Sequence, residues 1–263
     1  MEKPSVQTAA PLIRMAGVTV GSMKDPAAIT AEEIDWTVNA GDFWALAGLQ
    51  GSGKSDFLMT TGGLMPPVRG SYRLFGEDMP IFEESRLAIR LRLGLVFDGG
   101  QLFNHLTVWE NIALPLQYHR DLAKADALPQ LQPWLEAFEL GPWADSTPGA
   151  IGRHWQKRVG LARALMLKPE VLLVDNPLGG LDLQHTYWWL EFLSKLSAGH
   201  PLLDGRPITL VVTSADLRPW KGRAKQFAIL KNRRLAVLGT WQQLEAASNE
   251  MLREVLPAES PAG

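Results

Sequence analysis

The 263-residue sequence contains no cysteine, which excludes disulfides and thiolate metal sites and makes a reducing compartment the default expectation. It carries no excess of one charge: 21% of residues are charged and the formal net charge is −2, too little for the broad basic field that nucleic-acid binding calls for. No window approaches the roughly 18 uninterrupted apolar residues of a spanning helix. The first residues, MEKPSVQTAAPLIRMAGVTV, also lack the apolar core of a secretory signal. Work at a membrane would therefore go through a partner. Repeats and low-complexity linkers are lacking as well, and the length suits one large α/β unit. Tryptophan is plentiful, at 10 residues, but most stand singly among apolar neighbours (DFWAL, LPQLQPWLEAF), as packing side chains do.

What remains is an alternation of strand and helix. DFWALAG (42–48) reads as a buried strand, KSDFLMTTGGL as the helix after it and GSYRLFG as a short antiparallel strand. LGLVFD (93–98) is the next strand, with helices through 108–118 and 121–140 and in QKRVGLARALML. Then follow the strand VLLVD, the helix QHTYWWLEFLSKL and the strand ITLVVTS. QFAILKNRRLAVLG reads as a closing hairpin and PAESPAG as a frayed tail. Strands separated by helices imply a mostly parallel sheet with right-handed crossovers.

The strongest chemical signal is GLQGSGKS (48–55), which fits G-x-x-x-x-G-K-[ST] between a strand and a helix. Gly48, Gly51 and Gly53 let backbone amides turn inward, with Ser52 between them. The helix N-terminus favours an anion, Lys54 reaches the terminal phosphates, and Ser55 offers its hydroxyl to Mg²⁺. VLLVD supplies the second element of a P-loop site, in which Asp175 would hold Mg²⁺ through water.

Together these stretches resemble the nucleotide-binding subunit of an ABC transporter, over nearly the whole chain. GLARALMLKPEVLLVDNP resembles the family's signature helix leading into Walker B, GGLD its D-loop with Asp182 in the matching place, and RRLAVLGTWQQL its closing hairpin and helix. LGLVFDGGQLFNHLTVWENIALPL (93–116) is most similar to the ATPase subunits of MCE-type (Mla-like) lipid transport systems. The resemblance implies an α/β P-loop fold in a single domain spanning 1–263: a RecA-like, mostly parallel core, an antiparallel β flank and a helical subdomain at about 100–165. It also implies ATP and Mg²⁺ as ligands and a homodimer or heterodimer of ATP-binding subunits. Each ATP would lie between one chain's P-loop and the other's signature loop. An integral membrane permease would be the docking partner, with an MCE-domain protein in the complex. The location implied is the cytoplasmic face of the inner membrane, and from the charge balance no nucleic-acid partner is expected.

The departures from that pattern concern the chemistry. Asn176 stands where the family has its catalytic Glu, Asp98 at the Q-loop Gln and Ser214 at the switch His. The signature L-S-G-G-Q aligns with IGRHW (151–155), so Gly152, Arg153 and His154 replace its Ser and both Gly. Asp56 follows Ser55 where a Thr contacts the α-phosphate, and GVTVGSM holds no aromatic residue to stack on adenine. An amide cannot take a proton from water, and a positioned base is worth about 10²–10⁴ in rate. A degenerate chain beside an active partner should keep its signature loop, which completes the partner's site, and this chain does not. Only Arg153 or His154 could act there as a substitute cation. The reading that follows is an ABC-type ATP-binding subunit with an eroded or absent hydrolytic cycle, acting as scaffold or regulator on a permease or a paralogous ATPase subunit. The alternatives are an active ATPase with substitute residues, a P-loop kinase, and an interaction module that binds no nucleotide.

Overall fold

Successive side chains of the central strands serve opposite hydrophobic clusters, and that alternation sets the architecture. The computed structural model describes residues 10–79 and 83–246; PAESPAG lies outside them. The chain runs β1 (Ile13–Gly21), β2 (Ile29–Val38), β3 (Phe43–Ala47), α1 (Lys54–Thr61), β4 (Arg69–Leu74), β5 (Glu77–Asp78), α2 (Leu87–Arg90) and β6 (Leu93–Val96). It continues with α3 (Val108–Arg120), α4 (Lys124–Ala137), α5 (Arg153–Leu165), β7 (Val171–Val174), α6 (Leu183–Ala198), β8 (Thr209–Ser214), β9 (Gln226–Lys231), β10 (Arg234–Gly239) and α7 (Trp241–Ala246).

Two sheets result. The larger has the order β10-β9-β3-β8-β7-β6, parallel throughout except for the β9–β10 hairpin. The smaller, β2-β1-β4-β5, is antiparallel. β3, β7 and β8 are buried along their whole length, as central parallel strands covered on both faces must be. Successive side chains serve opposite cores. Phe43, Ala45, Val174, Leu210 and Val212 face a cluster shared with α3, α4, α5 and α6. Trp44, Leu46, Leu173 and Val211 face the second cluster, which β1, β2 and α1 close. There Trp36 meets Trp44 edge-on at 5.6 Å and Phe57 at 5.2 Å between centroids. Each such side chain, fully buried, stabilises the fold by about 1.5–3 kcal/mol.

α3 and α4 occupy the stretches 108–118 and 121–140 that read as helical, with α3 running on to Arg120 and α4 confined to Lys124–Ala137. Thr107 and Glu110 form a reciprocal capping box at the start of α3. Asn111, fully buried one turn later, ties down the preceding loop through the Phe103 amide and the Phe103, Leu106 and Thr107 carbonyls. α5 then packs on the turn after β6 through two glycines. A Cβ on Gly160 would lie 2.6 Å from the Gly100 Cα, and one on Gly100 would overlap the Gln156 carbonyl.

Two differences from the sequence reading have physical causes. The pattern shows no strand before residue 42, yet β1 and β2 make most of the antiparallel flank. Register shifts between Met15 and Val18 and between Val18 and Gly21, with Gly17 at φ 58°, break the period of two by which a strand is recognised. α5 also begins earlier than residue 156, so Arg153, His154 and Trp155 form its first turn.

Candidate functional site

The loop leaving β3 turns through Gly51 (φ 79°) and Gly53 (φ 91°), conformations that favour glycine, and enters α1 at Lys54. A Cβ on Gly53 would lie 2.7 Å from the Thr30 Cβ, and one on Gly48 would lie 2.6 Å from the Ser52 Oγ. No side chain caps α1, so the orphan amides of its first turn open on a cavity of about 870 Å³. Gly51, Gly53, Lys54, Ser55, Asp56, Asp98, Arg153, Asp175 and Asn176 all line it. Ser22, Lys24, Thr30, Gln50, Gly179, Gly180 and Ala215 complete the wall.

The ends of three parallel strands supply the polar floor. Asp175, just past β7, accepts from the Ser55 hydroxyl at 2.6 Å and from the Thr213 hydroxyl at 2.7 Å. Thr213 in turn accepts from the Asn176 amide at 2.9 Å, which fixes the turn after β7 to β8. The Lys54 ammonium curls back to donate to the Gly48 and Leu49 carbonyls at 2.6 and 2.8 Å. Burial pulls its pKa down, against the opposing pull of Asp175.

A second knot lies beside it. The buried Lys157 of α5 donates to the carbonyls of Asn176 and Gly179 at 2.8 and 2.9 Å and pairs with Asp98 Oδ1 at 3.0 Å. Asn176, in the left-handed region at φ 47°, donates through Nδ2 to Asp98 Oδ2 at 3.3 Å. Arg153 Nη2 reaches Asp98 Oδ1 at 3.3 Å from the exposed side. Partial burial pushes the Asp98 carboxyl up, but Lys157, Asn176 and Arg153 together hold it below the usual carboxylate range. Burial likewise lowers the Lys157 ammonium, with Asp98 opposing.

The donor set fits a phosphate anion with a hard divalent cation. A glycine cradle leads into an uncapped helix, a lysine lies along it, and a hydroxyl–carboxylate pair offers only oxygen. Beyond geometry, a family profile described as ABC transporter matches residues 31–179. The chain belongs to the ABC transporter family. It is 29% identical over 226 residues to the intermembrane phospholipid transport system ATP-binding protein MlaF of Escherichia coli K12, covering 86% of this chain and 82% of that protein. It is equally identical, at 29% over 226 residues, to the probable ribonucleotide transport ATP-binding protein mkl of Mycobacterium tuberculosis H37Rv. That match also covers 86% of this chain, which spans only 61% of the mkl protein's length. A dimeric ATP-binding cassette, MJ0796, in a post-hydrolysis state bound to ADP and Pi superposes with a TM-score of 0.74 at 26% identity. The superposition covers 85% of this chain and 96% of that one. The two-sheet architecture with its helical subdomain is thus the ABC nucleotide-binding fold.

Of the remaining expected site residues only Asp56 lines the cavity; Gly48, Ser52, Gly152, His154, Asp182 and Ser214 lie outside its wall. Asp182 caps α6 by accepting from the His185 amide at 2.8 Å. His154 stacks on His185 with centroids 4.0 Å apart, and Gly152 caps α5 in an extended conformation. Ser214 spends its hydroxyl locally, donating to the Asp216 carbonyl at 2.7 Å. Asp56 accepts from the Met23 amide at 3.1 Å, which tethers the β1–β2 loop over α1. Gly48 and Ser52 line a smaller neighbouring cavity beside the β9–β10 hairpin. Two residues the motifs do not contain prove central: Lys157 and Thr213. Lys157 carried a faint signal, a lysine on the helix face that Leu161 and Leu165 bury; Thr213 carried none.

Proposed function

We propose that the chain is the ATP-binding subunit of an ABC transporter of the Mla-like, lipid-transporting kind, and that it holds Mg²⁺-ATP with hydrolysis impaired or lost. In this reading Lys54 and the first-turn amides of α1 bind the phosphates, and Ser55 and Asp175 hold the metal. A bound Mg²⁺ would offset the terminal phosphate charge. The chain would act on the cytoplasmic face of the membrane, docked on a permease as homodimer or heterodimer, with an MCE-domain protein in the assembly. Among the described residues no helix is long and apolar enough to cross a membrane.

The observation that carries the loss of hydrolysis is the engagement of Asn176. Its amide is bonded to Asp98 and its backbone carbonyl to Lys157, in a position where a base would have to be free. The kinship to MlaF supports the lipid assignment. One observation favours a second reading, an active ATPase with a substitute base: Asp98 is a carboxylate on the wall of the same cavity. Phosphate release separates the two. In the first reading the native protein and Lys54→Ala release phosphate equally slowly. In the second, native release is well above that of Lys54→Ala, and Asp98→Asn lowers it by about 10² or more.

A further inference from the structure

The stretch 151–155 sends one side chain into the nucleotide cavity of its own chain. Of those five residues only Arg153 lines it. His154 turns to stack on His185, and Trp155 packs against Trp143 and Arg158. We infer that Arg153 is a ligand, in cis, for the terminal phosphate of a nucleoside triphosphate held by the P-loop of the same chain. This rests on reading the cavity as a nucleotide site.

Three features of Arg153 carry the inference. It is the first residue of α5, and no other side chain caps that turn or competes for its place on the cavity wall. Its guanidinium lies over Gly99, which has no side chain to confine it, with Nε 3.8 Å from where a Cβ would stand. Its tie is dispensable: Asp98 Oδ1 already has the buried Lys157 at 3.0 Å, while Arg153 approaches from solvent at 3.3 Å and is 67% exposed. A charged pair of good geometry is shorter than that, about 2.7–2.9 Å. One carboxylate thus faces two cations, and the exposed one is the surplus. A guanidinium in this position suits the paired oxygens of a phosphate, which a point-like ammonium does not.

The consequence is a triphosphate site completed within one chain, with selectivity for ATP over ADP set by residue 153. The test is equilibrium binding of ATP and of ADP, each with Mg²⁺, to the full chain and its variants. Arg153→Ala should reduce the ratio of ATP to ADP affinity by about tenfold or more, the effect of one charge-assisted bond. Arg153→Lys should recover part of it. Arg153 is exposed and Asp98 keeps Lys157, so the variants should fold; near- and far-ultraviolet circular dichroism checks this. A second arm mixes Arg153→Ala with Lys54→Ala. In cis the mixture binds ATP as weakly as Arg153→Ala alone, because no chain has both groups. Recovery of tight ATP binding on mixing would assign Arg153 to the site of a second copy and overturn the inference. An unchanged ATP-to-ADP ratio in Arg153→Ala would overturn it too, while leaving the nucleotide reading intact. Failure of the native chain to bind either nucleotide would remove both.

Discussion

The knot around Lys157 shows how far single residues decide this site. A buried ammonium is tolerated only when its donors are satisfied, and Lys157 satisfies them with carbonyls of the turn after β7 and with Asp98. Lys157→Met would leave those carbonyls without their donor and Asp98 with only the exposed Arg153, at a cost of roughly 3 kcal/mol, read as a shift in the denaturation midpoint. Asp98 gives the pH signature. Its carboxyl is held low, so its stabilising contribution is complete above the ordinary value of about 3.9 and is lost as pH falls through the folded-state value. The stability gap between native protein and Asp98→Asn should therefore be constant near neutrality and close below about pH 4. The phosphate loop is legible in the sequence because glycine, lysine and serine at fixed spacing have few other uses. Thr213 and Lys157 are not legible: they act through partners 38 and 19 residues distant, which only the folded sheet brings near.

At the scale of elements, the glycine pair Gly100–Gly160 sets how closely α5 approaches the turn after β6. That approach carries Arg153 and Lys157 to Asp98. Gly160→Ala should push α5 outward, destabilise the protein by about 1–3 kcal/mol despite alanine's better helix propensity, and weaken ATP binding in parallel. Chemical denaturation and nucleotide titration of one preparation measure both effects. The fully buried strands and long helices are readable from pattern because burial on both faces leaves uninterrupted apolar runs such as VLLV. β1 and β2 are not, because the register shifts between them interrupt the alternation that burial on one face would otherwise leave in the sequence. Of the antiparallel flank the residues show only β4, in GSYRLFG; the rest is what the family resemblance implies.

At the scale of the whole molecule, nucleotide binding should tie the parts together. The cavity wall takes residues from the β1–β2 loop, the P-loop, the ends of β6 and β7, and the start of α5. A ligand that binds only the folded state should stabilise all of them at once. Mg²⁺-ATP at 100 times its dissociation constant should contribute about 2.7 kcal/mol and raise the melting temperature by roughly 5–10 °C. Lys54→Ala should abolish that shift. The central claim is that the chain retains ATP without consuming it. The most direct test is to incubate the native protein with ATP and Mg²⁺ for hours, separate protein from free nucleotide, and identify what is bound and what is released. The account predicts intact ATP bound in stoichiometric amount, lost in Lys54→Ala, with no phosphate released beyond that control. Bound ADP, with free phosphate in molar excess over protein, would contradict it and mean that Asp98 or another group serves as the base Asn176 cannot be.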